Sequence, residues 1–133
     1  MISVEKTVIA ATKPKKLFIQ STMYTKKDTL EFRQLLPGVR FRPLVYGEKT
    51  HLCEFLLEKG YQIPWHHHPY EQTGYMVSGR VNFRIGEEYH ETFPGDSWSI
   101  PGNVPHWVEI LEDSHILELF SPPRPDYLPQ NVK

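Results

Sequence analysis

Three histidines and a glutamine, His66, His68, Gln72 and His106, are spaced as the ligands of one metal ion would be. Neutral imidazole nitrogen is the commonest protein ligand for Zn, Fe, Ni and Cu, and a carboxamide oxygen can complete such a set. His66 and His68 are i and i+2, so on an extended strand both side chains leave on one side, about 6.5 Å apart. Metal–nitrogen bonds of about 2.0–2.1 Å then let both rings lean onto one ion. His67 points the other way. Gln72 falls in the next extended run, and His106 arrives on a third, after bends at Pro101 and Pro105. Three imidazoles and a carboxamide carry no charge, so a bound divalent ion would keep its full positive charge. It would act as a strong Lewis acid toward anionic or oxygen-rich molecules. Two alternatives stay open at Gln72. It could hydrogen-bond His66 or His68 instead, and a bulge would exchange it with Glu71.

A second constellation is His115-Ile-Leu-Glu118-Leu-Phe120-Ser-Pro-Pro-Arg124. Glu118 interrupts an apolar run. A carboxylate buried without a partner costs several kcal/mol or is forced to hold its proton. Glu118 therefore needs a cation, a hydrogen-bond donor or a substrate beside it. Ile116, Glu118 and Phe120 share a face by period two. Arg124 follows the strand and either closes over an opening or simply ion-pairs with Glu118.

The elements that must position these groups read as short strands. Glu31–Leu36 and Val39–Tyr46 flank the turn pair Pro37-Gly38 and form a hairpin. A short helix over Asp28–Leu36, capped by Asp28, is the competing reading. In Thr50–Glu58, His51, Cys53, Phe55 and Leu57 share one face. Gln72–Ser78 is followed by a turn at Gly79-Arg80, then Val81–Ile85, Tyr89–Phe93 and Ser97–Ile100. Pro105–Leu111 and His115–Phe120 form a last pair turned at Glu112-Asp113. Turn residues every 8–12 positions are the habit of a β-sandwich or barrel. Apolar patches at Val8–Ala11 and Leu17–Ile19 have no place in a minimal barrel. They read as edge strands or as an arm reaching a second subunit. His51, His90 and His115 read as surface residues, Cys53 as core or cavity wall, Trp65, Trp98 and Trp107 as packing, and Asp96 as a turn residue.

The 133 residues fit one domain with a core of its own. A formal net charge of -1 leaves no basic footprint for nucleic acid. No apolar run approaches the roughly 18 residues of a membrane span. One cysteine excludes an intrachain disulfide. The first residues lack a signal-peptide layout, so the expectation is a cytoplasmic protein.

Gly60, His66, His68, Gln72 and Gly79 match the first motif of the cupin family, Gly-x5-His-x-His-x3-Glu-x6-Gly, with Gln in the acidic slot. Gly95, Pro101 and His106 match much of its second motif, Gly-x5-Pro-x-Gly-x2-His-x3-Asn. The chain departs where Pro101-Gly102-Asn103 replaces Pro-x-Gly and where Ile110 replaces Asn. The resemblance covers about residues 38–122. It implies an all-β, single-domain double-stranded β-helix, or jelly-roll barrel, over residues 37–122. Residues 1–36 then form an N-terminal extension, and the proline-rich C-terminal tail, residues 123–133, reads from its composition as extended over the surface. The resemblance further implies one divalent transition metal ion (Zn, Ni, Fe or Mn) and a homodimer.

Within the cupins the pattern resembles the small uronate-linearising proteins of pectin and alginate breakdown. Those carry three histidines and a glutamine, with an acidic residue, a Phe two positions on and an Arg four beyond at the barrel mouth. Glu118, Phe120 and Arg124 reproduce that spacing, with Glu where the family has Asp. The resemblance implies opening of cyclic 4,5-unsaturated uronates to the keto form. Glu118 would shuttle a proton, Arg124 would hold the substrate carboxylate, and Phe120 would shape the wall. The alternatives are a metal-dependent dioxygenase or isomerase, and a non-enzymatic module that binds a small acid.

Overall fold

The computed structural model describes residues 23–128. The apolar patches at Val8–Ala11 and Leu17–Ile19 lie outside the described residues. Eight antiparallel strands form the fold: β1 (Arg33–Leu36), β2 (Val39–Tyr46), β3 (His51–Leu57), β4 (Gln62–His66), β5 (Glu71–Ile85), β6 (Glu88–Thr92), β7 (Ser97–Ile100) and β8 (His106–Ser121). A 3-10 turn, Pro125–Tyr127, follows. The Pro37-Gly38 hairpin forms as its turn chemistry dictates, and the competing helix at 28–36 does not.

Two strands organise the barrel. The second half of β8 lies between β3 and the first half of β5, which also pairs with β7. The first half of β8 lies between β4 and the second half of β5, which also pairs with β6. β5 and β8 thus run through both sheets of a jelly roll. Their inward side chains meet those of β2 and β3 in one core, which includes Phe41, Phe55, Met76, Phe83, Ile110, Ile116 and Phe120. The period-two burial of β3 and β8 sets which residues can face the interior.

Two expected turns are absent. Gly79-Arg80 does not end a strand. β5 continues through it as a bulge, with register shifts from Met76 to Val81 and Gly79 at φ 99°. Glu112-Asp113 does not reverse the chain either. Without Gly or Pro the backbone stays extended, and partners on both sides keep β8 in one piece. The exposed Asp113 carboxylate instead accepts from the Lys59 N–H, 2.9 Å away, and fastens the turn before β4.

The described part of the tail does not lie on the surface throughout. Tyr127 is buried against Phe41, Phe55 and Phe120. Arg33 of β1 holds the segment by donating to the carbonyls of Tyr127 (3.0 Å) and Leu128 (3.4 Å). Among the described residues no helix is long and apolar enough to cross a membrane.

A side chain at Gly79 would meet the Asp113 carbonyl and Ser114, in a backbone region L-residues avoid. Gly79→Ala is expected to lower the unfolding free energy by about 1–3 kcal/mol, read from urea denaturation.

Candidate metal centre

His66 closes β4, His68 stands in the connection that follows, Gln72 is the second residue of β5, and His106 opens β8. His66 and His106 are register partners across β4 and β8, with ring centroids 4.1 Å apart. His68 lies 5.6 Å from the first ring and 5.1 Å from the second. One ligand nitrogen from each ring falls within 4.8 Å of the other two. Bonds of about 2.1 Å to one ion separate two ligand nitrogens by at most about 4.2 Å. Three nitrogens sharing one tetrahedral ion stand about 3.4 Å apart, so side-chain movement of up to roughly an ångström would close the set. β4 ends at His66, so the connection rather than a continuous strand brings His68 to the same side. His67 is exposed.

Backbone carbonyls fix the orientation of each ring. Each Nδ1 lies against one: Pro64 at 2.8 Å for His66, Tyr70 at 3.0 Å for His68, and Val104 at 2.9 Å for His106. A carbonyl only accepts, so Nδ1 must carry the hydrogen in all three neutral rings. The lone pair is then left on Nε2. The Nε2 atoms of His68 and His106 are buried without any hydrogen-bond partner. An orphaned buried acceptor is costly, and a metal ion is the partner that this Nδ1-anchored arrangement ordinarily serves. Burial also holds the three imidazoles below their ordinary pKa, His106 down to about 4, so they are neutral at physiological pH and able to ligate.

Gln72 is buried and its neighbour Glu71 is exposed. Strand β5 is regular at this end, so the bulge that would have exchanged them does not occur here. The Gln72 carboxamide lies against both His68 and Glu118, while His68 Nε2 stays unpartnered. Gln72 is thus placed to complete a ligand set and to touch the acid at once.

Glu118 is inside the barrel. Its Oε1 accepts from the Trp98 indole N–H at 3.1 Å. Burial pushes its carboxyl up to about 8, and the contacts with Trp98 and Gln72 pull partly the other way. The Glu118–Arg124 ion pair considered from the sequence is absent. Arg124 pairs instead with Asp126 at 2.9 Å, and its guanidinium lies 5.0 Å from the Phe120 ring centroid. Phe120 packs edge-on to His68 at 6.0 Å. One cavity of about 50 Å³ touches His66, Gln72, His106, Glu118, Phe120 and Arg124.

Sequence reasoning missed three participants. Trp98 is not a mere packing residue, because it is the donor that holds Glu118. Gly74, its register partner, must lack a side chain: a Cβ there would collide with the indole and with Glu118 Oε1. The glycine faces the tryptophan only through the β5–β7 register, which the sequence does not display. His51 is fully buried, not a surface residue, because it shares the inward face with Cys53. Its Nε2 lies 3.4 Å from the Cys53 sulfur. His90 is exposed, and His115 pairs with Glu54 at 2.7 Å. Trp65 is half exposed, and Trp107 donates to Gln62 at 3.2 Å. Asp96 is the turn residue expected, accepting from the Phe93 N–H at 2.8 Å.

A barrel of this topology, with inward imidazoles from two strands and from the connection after β4, defines a class as well as a fold. Residues 53–121, more than half of the sequence, match the family model for the cupin domain, and the chain belongs to the cupin family. The structure of KdgF from Halomonas sp. superposes with a TM-score of 0.74 at 24% identity, covering 79% of this chain and 97% of that one. An RmlC-like cupin from Shewanella frigidimarina superposes with a TM-score of 0.77 at 22% identity, covering 81% and 97%. At such identities the likeness establishes the fold. No curated protein matches the sequence. The second motif's departure has a structural explanation: Asn103, standing where the family pattern has Gly, adopts φ 68°, and Asn enters that region more readily than other side chains.

Two outcomes follow from this geometry. Zn, Ni, Fe or Mn is expected to bind at one ion per chain, and His106→Ala to weaken binding by more than about 100-fold, read by competition with a chelating dye. The metal-free protein is expected to be most stable near pH 6.5. Glu118, raised from 4.5 to about 8, keeps a proton that the unfolded chain releases, so stability falls as pH climbs toward 8. His51 and His106, lowered from 6.5 to about 4, stay neutral where the unfolded chain takes up protons, so stability also falls as pH drops below 6.5. Below 6.5 these imidazoles outnumber the single carboxyl. Urea denaturation across pH 4–9 reads both limbs, and Glu118→Gln should flatten the alkaline one.

Proposed function

We propose that this cupin is a metal-dependent enzyme acting on a small sugar acid, and that it opens cyclic 4,5-unsaturated uronate monosaccharides to their keto form. The observation that carries this reading is Glu118. It is a buried carboxyl with a pKa raised toward neutrality, held by Trp98 and Gln72 beside three ligand-competent imidazoles and facing the same cavity as Arg124. Raised acids in clefts are the ordinary makings of proton-transfer catalysts.

A divalent ion on His66, His68, His106 and Gln72 would supply Lewis acidity to a substrate oxygen. The remaining steps belong to the chain's own side chains. As carboxylate, Glu118 takes the proton of the anomeric hydroxyl. The C1–ring-oxygen bond breaks, giving an aldehyde at C1 and an enolate at C5. Glu118, now protonated, returns the proton to C4, and the enolate becomes the ketone. One proton leaves the substrate and one returns, so a single carboxyl near its midpoint at neutral pH serves both directions. Trp98 keeps Oε1 anchored so that the other oxygen can work. Arg124 provides a bidentate, charge-assisted site for the substrate carboxylate, and Phe120 supplies an apolar wall to a ring face.

The test follows the absorbance of the conjugated double bond of unsaturated galacturonate or guluronate. The metal-loaded protein should speed its loss. Glu118→Gln should cut kcat by about 10²–10⁴-fold at unchanged metal content, and Glu118→Asp should keep part of the activity. A wild-type protein that never accelerates the loss would overturn the reading.

A further inference from the structure

The cavity at the candidate centre measures about 50 Å³. That is room for an ion and one or two waters, whereas clefts that hold small molecules run to about 300–1,000 Å³. A monosaccharide cannot enter the barrel as it stands. The C-terminal turn makes up the difference. Tyr127 lines the same cavity, with its ring centroid 4.5 Å from that of Phe41 and 5.5 Å from that of Phe120. The Arg124 guanidinium lies 3.8 Å from the Tyr127 ring centroid and 5.1 Å from that of Tyr70. Its side chain is only 12% exposed, whereas that of Asp126, its ion-pair partner, is 57% exposed.

We propose that the turn Pro125–Tyr127 is an internal strap standing in for the ligand: Asp126 occupies Arg124, which precedes the turn, as a substrate carboxylate would, and Tyr127 fills the space of the sugar ring. An anionic sugar enters by displacing both. The inference rests on the reading of Arg124 as the carboxylate site. Two features make the strap releasable. The ion pair presents Asp126 on its exposed side, and a pair open to water is weakly held. Among the described residues, the hydrogen bonds that tie the segment to the barrel are the two from Arg33 to backbone carbonyls. The strap also confers selection, since a neutral sugar has nothing to offer Arg124 in exchange for Asp126.

The experiment uses the full-length, metal-loaded protein with D-galacturonate as probe and D-galactose as its neutral counterpart. Brief chymotrypsin treatment, with cleavage after Tyr127 followed by mass spectrometry, reports strap release, and calorimetry reports affinity. Galacturonate should raise cleavage after Tyr127 by about fivefold or more, and galactose should leave it unchanged. Asp126→Asn, at an exposed position that folding does not need, should bind galacturonate about 3–10-fold more tightly, because the competing closed state is depopulated. Tyr127→Ala should speed association. Galacturonate that does not bind, that binds without added cleavage, or that binds Asp126→Asn no more tightly overturns the strap. Turnover of unsaturated uronates with a strap that stays shut would remove this inference alone. A strap that opens to galacturonate in a protein with no turnover would remove only the proposed activity.

Discussion

Three backbone carbonyls, those of Pro64, Tyr70 and Val104, decide what the histidines of this barrel can do. Each takes the hydrogen of one Nδ1 and so leaves the lone pair on Nε2. Two of those three Nε2 atoms are buried without partners. Left to themselves, clustered imidazoles would donate to one another or take up protons, and the cluster would disperse by charge repulsion. Carbonyl anchoring and burial together keep all three neutral, oriented and waiting for an electrophile. Each anchoring carbonyl lies two residues from its histidine, so the device is local and depends on the bends around Pro64, Pro69 and Pro105 more than on distant packing.

Most of the strand framework was legible because period-two burial and turn residues are local signals. The Pro37-Gly38 hairpin, the shared inward face of Cys53, Phe55 and Leu57 and the strand Ser97–Ile100 follow from them directly. The two turn errors share one cause. At Gly79-Arg80 and Glu112-Asp113 the local chemistry permitted a turn, and long-range pairing overrode it. β5 and β8 flank each other over nearly their whole lengths, and a strand with partners on both sides is held extended. A bulge at Gly79 absorbs the curvature that a turn would otherwise have provided.

The centre was legible in part for the same reason. Spacing brought His66, His68, Gln72 and His106 forward because their positions repeat a motif. Glu118 stood out because a lone acid in an apolar run must be explained. Trp98 and Gly74 did not, since their relation is visible only once β5 and β7 are paired. Tyr127 and Asp126 were hidden in a proline-rich tail that composition alone assigns to the surface. The fold supplies shelter and concavity, and many chemistries share it. The sugar-acid reading proposed above rests on the side chains around Glu118 and Arg124.

β8 carries His106 at one end and Glu118 near the other, and it crosses both sheets between them. In a strand, losing or gaining one residue rotates everything beyond it to the opposite face. A single-codon deletion between Trp107 and Leu117 would therefore expel the acid from the interior even with every histidine in place. Length variation among relatives should be confined to the hairpin loops, and β8 should behave as a ruler that keeps ion and acid in step.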